Sequence, residues 1–426
     1  MTRSLPTARF SLVCLAAAAV SFPIAIIGLA KLLLLLCALI VLVCQLLRHG
    51  ERSPLLPGAA SPMMLLALAY LAAGALWNTG STEEALQALV KHGKLILIPV
   101  VLSLLRSRRE ALIALAFFGG AQVFLLASTW LHYAGVPIAW ITSKEQGLCD
   151  TCSYAIFSSY LDQSIMSAVL AAVAWHCRSY LPGRWRTLLA PTIALLALGC
   201  VFLIFQGRTA YLIAVVLIAL TIAWELPRRL QLGAALLVLA LLAALLATSN
   251  QVRQRVLEVD YGIQGYQQSG KPSSSAGTRI FLWLGSLRLI ETSPLHGTGT
   301  GSWKKEFNEL TRSSADQTPT QGTLAAVYPN PHQEFLLWGV ELGLPGIALL
   351  CAVLLALYRD SRQLETPARR AMQSILAALT LACLFNCALY DALIGDFFCI
   401  ALALMAALRT QSTPLEATAP APPTSA

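Results

Sequence analysis

Apolar runs near 20 residues recur from one end of this 426-residue chain to the other. An α-helix needs about that length to cross a hydrocarbon layer ~30 Å thick. Soluble domains carry roughly 25% charged residues, whereas this chain is 12% charged and 57% hydrophobic, with a mean hydropathy of +0.67. A single core wrapped by a polar surface is excluded, and a helical bundle solvated by lipid is expected. The spacing predicts twelve spans, near 10–29, 32–47, 60–78, 86–105, 111–134, 163–177, 187–205, 209–226, 230–248, 334–358, 371–390 and 392–408. The first resembles a signal peptide, but Lys31 and a second apolar run follow it where a small-residue cleavage site would stand. Pro23, Pro99, Pro191 and Pro345 fall in or beside spans and are tolerated where neighbours satisfy the freed backbone groups.

Arginines set the orientation. Arg3 and Arg9 precede the first span. Alternate connections hold Arg48 and Arg52; Arg106, Arg108 and Arg109; Arg178, Arg184 and Arg186; Arg228 and Arg229; Arg359, Arg362, Arg369 and Arg370. Arg409 follows the last span, making seventeen on one side. The positive-inside rule makes that side, and both termini, cytoplasmic. The net charge of +9 follows from topology, so no nucleic-acid partner is needed: no soluble face clusters the charge. The units expected are transmembrane helices 1–9 over 1–248, a large periplasmic loop over 249–333, helices 10–12 over 334–409, and a disordered cytoplasmic tail over 410–426. Within the loop, Val252, Val256 and Val259 share one helical face. Ile280, Trp283, Leu284 and Leu287 share another, on a stretch that stops at Pro294 and lies at the membrane surface. No internal repeat points to an inverted-repeat transporter.

Most of the eleven cysteines sit in or beside apolar spans, where cysteine behaves as a small hydrophobe. Cys149 and Cys152 lie in the oxidising loop 135–162 and are disulfide candidates. Unpaired thiols are the alternative, and a zinc site would need a second ligand pair. Gly297-Thr298-Gly299-Thr300-Gly301 follows no strand and reads as a loop requiring positive φ, not a nucleotide cradle. No cluster of Asp or Glu suggests a divalent metal, so phosphate chemistry here is expected to be metal-independent and without a cofactor.

Polar residues are expensive in lipid and therefore informative. Asn330-Pro331-His332-Gln333 precedes an apolar span and reads as a helix start, with Asn330 as N-cap, Pro331 in the first helical position and Gln333 completing a capping box. That reading leaves His332 unexplained. A helix N-terminus disfavours imidazolium, leaving a free base near neutral pH, and attracts phosphate. Gln206-Gly207-Arg208-Thr209-Ala210 puts an arginine in a short turn on the wrong side for the orientation bias, where snorkelling is the plain alternative. Thr278-Arg279 opens the second loop helix. Two arginines can clamp a diphosphate bidentately. Lys91 and Lys94 enter the fourth span from its periplasmic end, and snorkelling explains Lys91 better than the deeper Lys94. Asp391 and Asp396 flank the last periplasmic turn. Glu225 beside Arg228 reads as an ion pair.

His332-Gln333, nine residues and then Gly343-Leu344-Pro345-Gly346 resemble the histidine motif of bacterial O-antigen ligases: H, then N, S or Q, nine spacers and GxxG. The order of an arginine in a short periplasmic turn, Arg208, one in the large loop, Arg279, and then the histidine is also similar. The specific motifs cover about 206–210 and 279–346. The superfamily includes O-antigen polymerases and protein O-oligosaccharyltransferases, and the histidine motif favours the ligase. The resemblance implies an all-α, polytopic glycosyltransferase of GT-C-like architecture in a Gram-negative inner membrane, its active site facing the periplasm. It would move a glycan from undecaprenyl diphosphate to a hydroxyl of the lipid A–core oligosaccharide. His332 would be the general base and Arg208 and Arg279 the diphosphate ligands, with Gln333, Asp391 and Lys94 as further substrate-binding candidates. A polymerase is the alternative within the class. A transporter or flippase is the alternative outside it, and only Lys94 lies near midplane, where one would need charge.

Overall fold

The computed structural model describes residues 5–47, 58–144, 152–205, 207–248, 261, 264, 274–313 and 328–409. Every regular element in it is helical. In chain order these are α1 (Leu5–Ala19), α2 (Ile24–Leu47), α3 (Ala60–Gly74) and α4 (Thr82–His92), which runs through a 3₁₀ turn, Gly93–Ile96, into α5 (Leu97–Leu104). Then come α6 (Arg108–Tyr133), α7 (Tyr160–His176), α8 (Ala190–Gly199) between two π turns, α9 (Arg208–Glu225) and α10 (Arg228–Thr248). After the loop helices α11 (Ser275–Thr292) and α12 (Trp303–Ser313) the bundle resumes with α13 (Glu334–Ser361), α14 (Thr366–Phe385) and α15 (Ala392–Ala406). Among the described residues, eight helical runs are long and apolar enough to cross a membrane, and two shorter apolar ones accompany them at Thr7–Ala19 and Ala392–Ala406. The chain is a polytopic membrane protein.

Helices in lipid gain nothing from hiding leucine from leucine, so small residues that permit close approach decide their association. On α6 the buried positions Ala111, Ala114, Phe118, Ala121 and Leu125 recur at helical spacing, and α6 packs against α1, which buries Val13, Ala16 and Ala17. Large side chains such as Leu29, Leu39, Leu195 and Leu232 face outward and are more than half exposed.

One end of the bundle gathers the arginines. Arg9 pairs with Glu110 at 3.0 Å, Arg108 with Glu365, and Arg178 and Arg370 hold Glu225 at 2.9 and 2.8 Å. Glu225 therefore pairs across helices, not with Arg228 as its sequence neighbourhood predicts. Asp360 accepts the N–H groups of Ala59 and Ala60.

Two boundaries differ from the sequence reading. The first break falls at 20–23, where Pro23 cannot donate and Ser21 and Phe22 close the end of α1 onto Ala18 and Ala19. Lys31 consequently lies inside α2, where its ammonium meets the fully buried Asp396 at 2.6 Å. The predicted span 371–390 ends at Phe385, and residues 386–391 form a turn before α15.

The long helix α13 is broken. Gly343 has φ +73° and ψ −167°, and Pro345 cannot donate to Glu341. Unpaired backbone groups at membrane depth cost several kcal/mol each, and the glycine loop takes them up. Thr298 N–H donates to the Val340 carbonyl at 2.9 Å, Gly299 N–H to the Glu341 carbonyl at 2.8 Å, and Leu344 N–H to the Pro294 carbonyl at 2.7 Å. Gly297, Gly299 and Gly301 all have positive φ, as the sequence predicts. The GxxG and GTGTG segments are thus two halves of one interlock, holding α11 and α12 against the end of α13.

Candidate functional site

The chain entering α13 turns sharply before the helix begins. Asn330 Oδ1 accepts the His332 N–H at 2.9 Å, and His332 has φ +52°, the one positive φ outside glycine among the described residues. A left-handed residue cannot belong to the helix that follows. The N-cap is therefore Gln333, whose Oε1 accepts the Leu336 N–H at 2.5 Å and whose carbonyl accepts the Leu337 N–H. The capping box expected from Asn330 and Gln333 does not form. Asn330 makes the turn and Gln333 makes the cap. Strained backbone of this kind costs about 1–3 kcal/mol and persists where surrounding structure enforces it. Here it projects the imidazole off the helix end, with the Tyr328 ring edge-on at 5.6 Å.

The histidine has arginine for company. Burial, and then the Arg279 charge, push the His332 imidazole down to about 4, so it is neutral near pH 7. Arg279, on the first turns of α11, is itself held below the ordinary arginine range by burial and then by Arg208. Arg208 opens α9, and the two arginines line one cavity of about 290 Å³ with Thr209, Ile280, Trp283 and Phe385. Ion pairs elsewhere occupy Arg9, Arg108, Arg178 and Arg370. Among the described residues, no carboxylate pairs with Arg208 or Arg279. Arg279 has one polar contact, to Asn386 Oδ1 at 3.3 Å. Two cations side by side in a partly buried cleft repel each other and favour occupation by an anion.

Lys94 and Asp391 belong to a second group. Lys94 is 5% exposed and donates to the Asp391 carbonyl at 2.5 Å and the Ala392 carbonyl at 3.3 Å. Lys91 places its ammonium 4.0 Å above the Tyr390 ring. The Asp391 carboxyl is raised by burial, against the opposing charges of Lys94 and Lys91. His92, fully buried, stacks edge-on against Trp338 and stands 3.8 Å from Glu334. Sequence reasoning passed over Glu334, Asn386 and Tyr328. Glu334 carried a signal, a carboxylate opening an apolar span, but the long-range contacts of the other two did not.

α11 carries its predicted apolar stripe outward, with Leu284 and Leu287 nearly half exposed. It buries Thr278, Leu282, Ser286 and Leu289 instead, where Trp303 of α12 bonds the Ser286 hydroxyl at 2.9 Å. The expected face of Val252, Val256 and Val259, Gln206, Cys149 and the tail from 410 lie outside the described residues.

Residues 193–351 match the family model for O-antigen ligase. The matched segment includes Arg208, Arg279, His332 and the Gly343–Gly346 break. No curated protein matches the chain.

Proposed function

We propose that this chain, whose residues 193–351 match the O-antigen ligase family model, transfers a glycan from undecaprenyl diphosphate to a sugar hydroxyl of lipid A–core. The observation that carries this reading is the unpaired arginine couple lining one cavity beside a neutral, strained histidine. The lipid-linked donor enters laterally, and its diphosphate sits between Arg208 and Arg279. As the C1–O bond to the diphosphate breaks, charge grows on the leaving oxygens and the two guanidinium groups stabilise it more than they stabilise the bound donor. The acceptor oxygen attacks C1 from the opposite face, inverting it, while His332 takes the hydroxyl proton. Asp391 contacts the acceptor sugar. Lys94 and Gln333 act on the site indirectly, Lys94 by holding the carbonyls that precede α15 and Gln333 by capping α13. No metal takes part.

A base that titrates near 4 is weak, and the donor corrects this. A diphosphate on Arg279 neutralises the charge that depresses the imidazole, so its basicity rises once the donor is bound. On the proposed topology, with twelve crossings and both termini on the arginine-rich, cytoplasmic side, this cleft faces the periplasm from a Gram-negative inner membrane.

The test is transfer by the purified protein in detergent with EDTA, given lipid-linked glycan and lipopolysaccharide core. Core-linked product supports the ligase. Product consisting only of longer lipid-linked chains would make the protein a polymerase, and neither product would remove the transferase reading.

A further inference from the structure

The candidate catalytic histidine and the arginine nearest to it sit on different segments, which the glycine interlock joins at the far end of α11. His332 is in a turn before α13, and Arg279 is on a loop helix whose polar tie to the bundle is Asn386. Glu334 stands two residues after the histidine and is 0% exposed. Its Oε2 accepts the N–H groups of Leu389 at 3.0 Å and Tyr390 at 3.2 Å. Its Oε1 accepts the Trp338 indole N–H at 3.1 Å. One carboxylate thus ties the start of α13 to the 386–391 turn and braces itself on its own helix.

A carboxylate this deeply buried is expensive unless its partners are good, and an apolar residue would serve mere packing at lower cost. The arrangement does more than fill space. Two donors from the turn fix it relative to α13 while Trp338 holds the carboxylate in place, and the turn carries Asn386, which holds Arg279.

We propose that Glu334 is the positioning residue of this centre: by gripping the 386–391 turn it sets the distance between His332 and Arg279, and hence between the base and the diphosphate. The proposal rests on the transferase reading above. Misplacement of about 1 Å at a reacting centre can cost ~10²-fold in rate. In Glu334→Ala the turn is released and kcat falls by about that factor, while donor KM changes much less, because Arg208 stays in place on α9. Glu334→Gln keeps one oxygen for Leu389 and Tyr390 and recovers most of the rate.

The decisive readout is the acid limb of kcat/KM, which reports the free enzyme's base. In the parent the limb lies near 4, where burial and Arg279 hold His332. In Glu334→Ala, Arg279 moves off and water enters, so the limb shifts up toward the ordinary histidine value of 6.5. A residue needed only for folding would lower yield and melting temperature without moving that limb. A parental limb and kcat in both variants would overturn the proposal. If Glu334→Ala does not fold, Glu334→Gln decides alone: a smaller upward shift supports the proposal and an unmoved limb overturns it. A parent protein that transfers no glycan would fail the transferase reading instead, before either variant is compared.

Discussion

Two groups of charges lie close together at this end of the bundle, and they are built on opposite principles. Around Lys94, most charges are answered within the protein. Lys94 donates to backbone carbonyls, Glu334 accepts from three N–H groups, and Asp396 meets Lys31. Around Arg279 the answer is missing. Among the described residues, the two arginines line a cavity opposite no carboxylate, and the second has one polar tie, to Asn386. A buried charge that is satisfied internally is scaffold, since removing its partner costs stability. We read a cluster of like charge left unanswered as a binding site awaiting the opposite charge. The same residue types in one kind of membrane environment thus separate into structure and function by what faces them.

Breaking the comparison on the unanswered side produces the largest effect. His332→Asn keeps a residue that tolerates the left-handed backbone but removes the base. Transfer falls about 10²–10⁴-fold with little change in melting temperature. Alanine is a poorer choice here, because it confounds the lost base with backbone strain at φ +52°. Arg279→Lys and Arg208→Lys keep the charge and lose the fork, and kcat in each drops by about 10² in a protein that still inserts and folds. Near-normal turnover in both would make them headgroup anchors.

On the answered side the effects move to stability. Asp396→Asn strands Lys31 inside α2 and costs about 3 kcal/mol, the low end for a broken buried pair, because the Lys31 side chain is 28% exposed and can reach out. The rate per folded molecule stays parental, and detergent melting beside a transfer assay measures both. The smallest effect sharpens the scaffold itself. A methyl group at Gly343 would stand 2.6 Å from the Pro294 carbonyl in a left-handed backbone, so Gly343→Ala costs about 1–3 kcal/mol and loosens the loop interlock.

Much of this was legible in the sequence because lipid simplifies the code. Apolar length locates the crossing helices, and positive φ in Gly297, Gly299 and Gly301 follows from composition. The order of two arginines and a histidine on successive segments named the residues that converge. Contacts distant in the chain were not legible. Lys31 reads as a boundary until Asp396, far along the chain, is known to meet it. Residues 386–391 read as helix until Glu334 is seen to bind their N–H groups. Asn330 looks like a cap because Ser, Thr, Asp and Asn usually are. The left-handed turn at His332 pushes the helix start to Glu334 and hands the cap to Gln333. The apolar stripe on α11, read as lying at the membrane surface, does leave Leu284 and Leu287 nearly half exposed, whereas the face that packs inward, with Thr278 and Ser286, carried no apolar signal.

The most direct measurement is binding of undecaprenyl diphosphate to the detergent-solubilised protein, followed in the parent, in His332→Asn and in an Arg208→Gln, Arg279→Gln double variant. The parent and His332→Asn bind it with similar affinity, although the second transfers almost nothing, and the double variant loses binding while remaining folded. Equal binding by all three would contradict the assignment of the arginine cavity to the donor diphosphate, and with it the distinction between answered and unanswered charge.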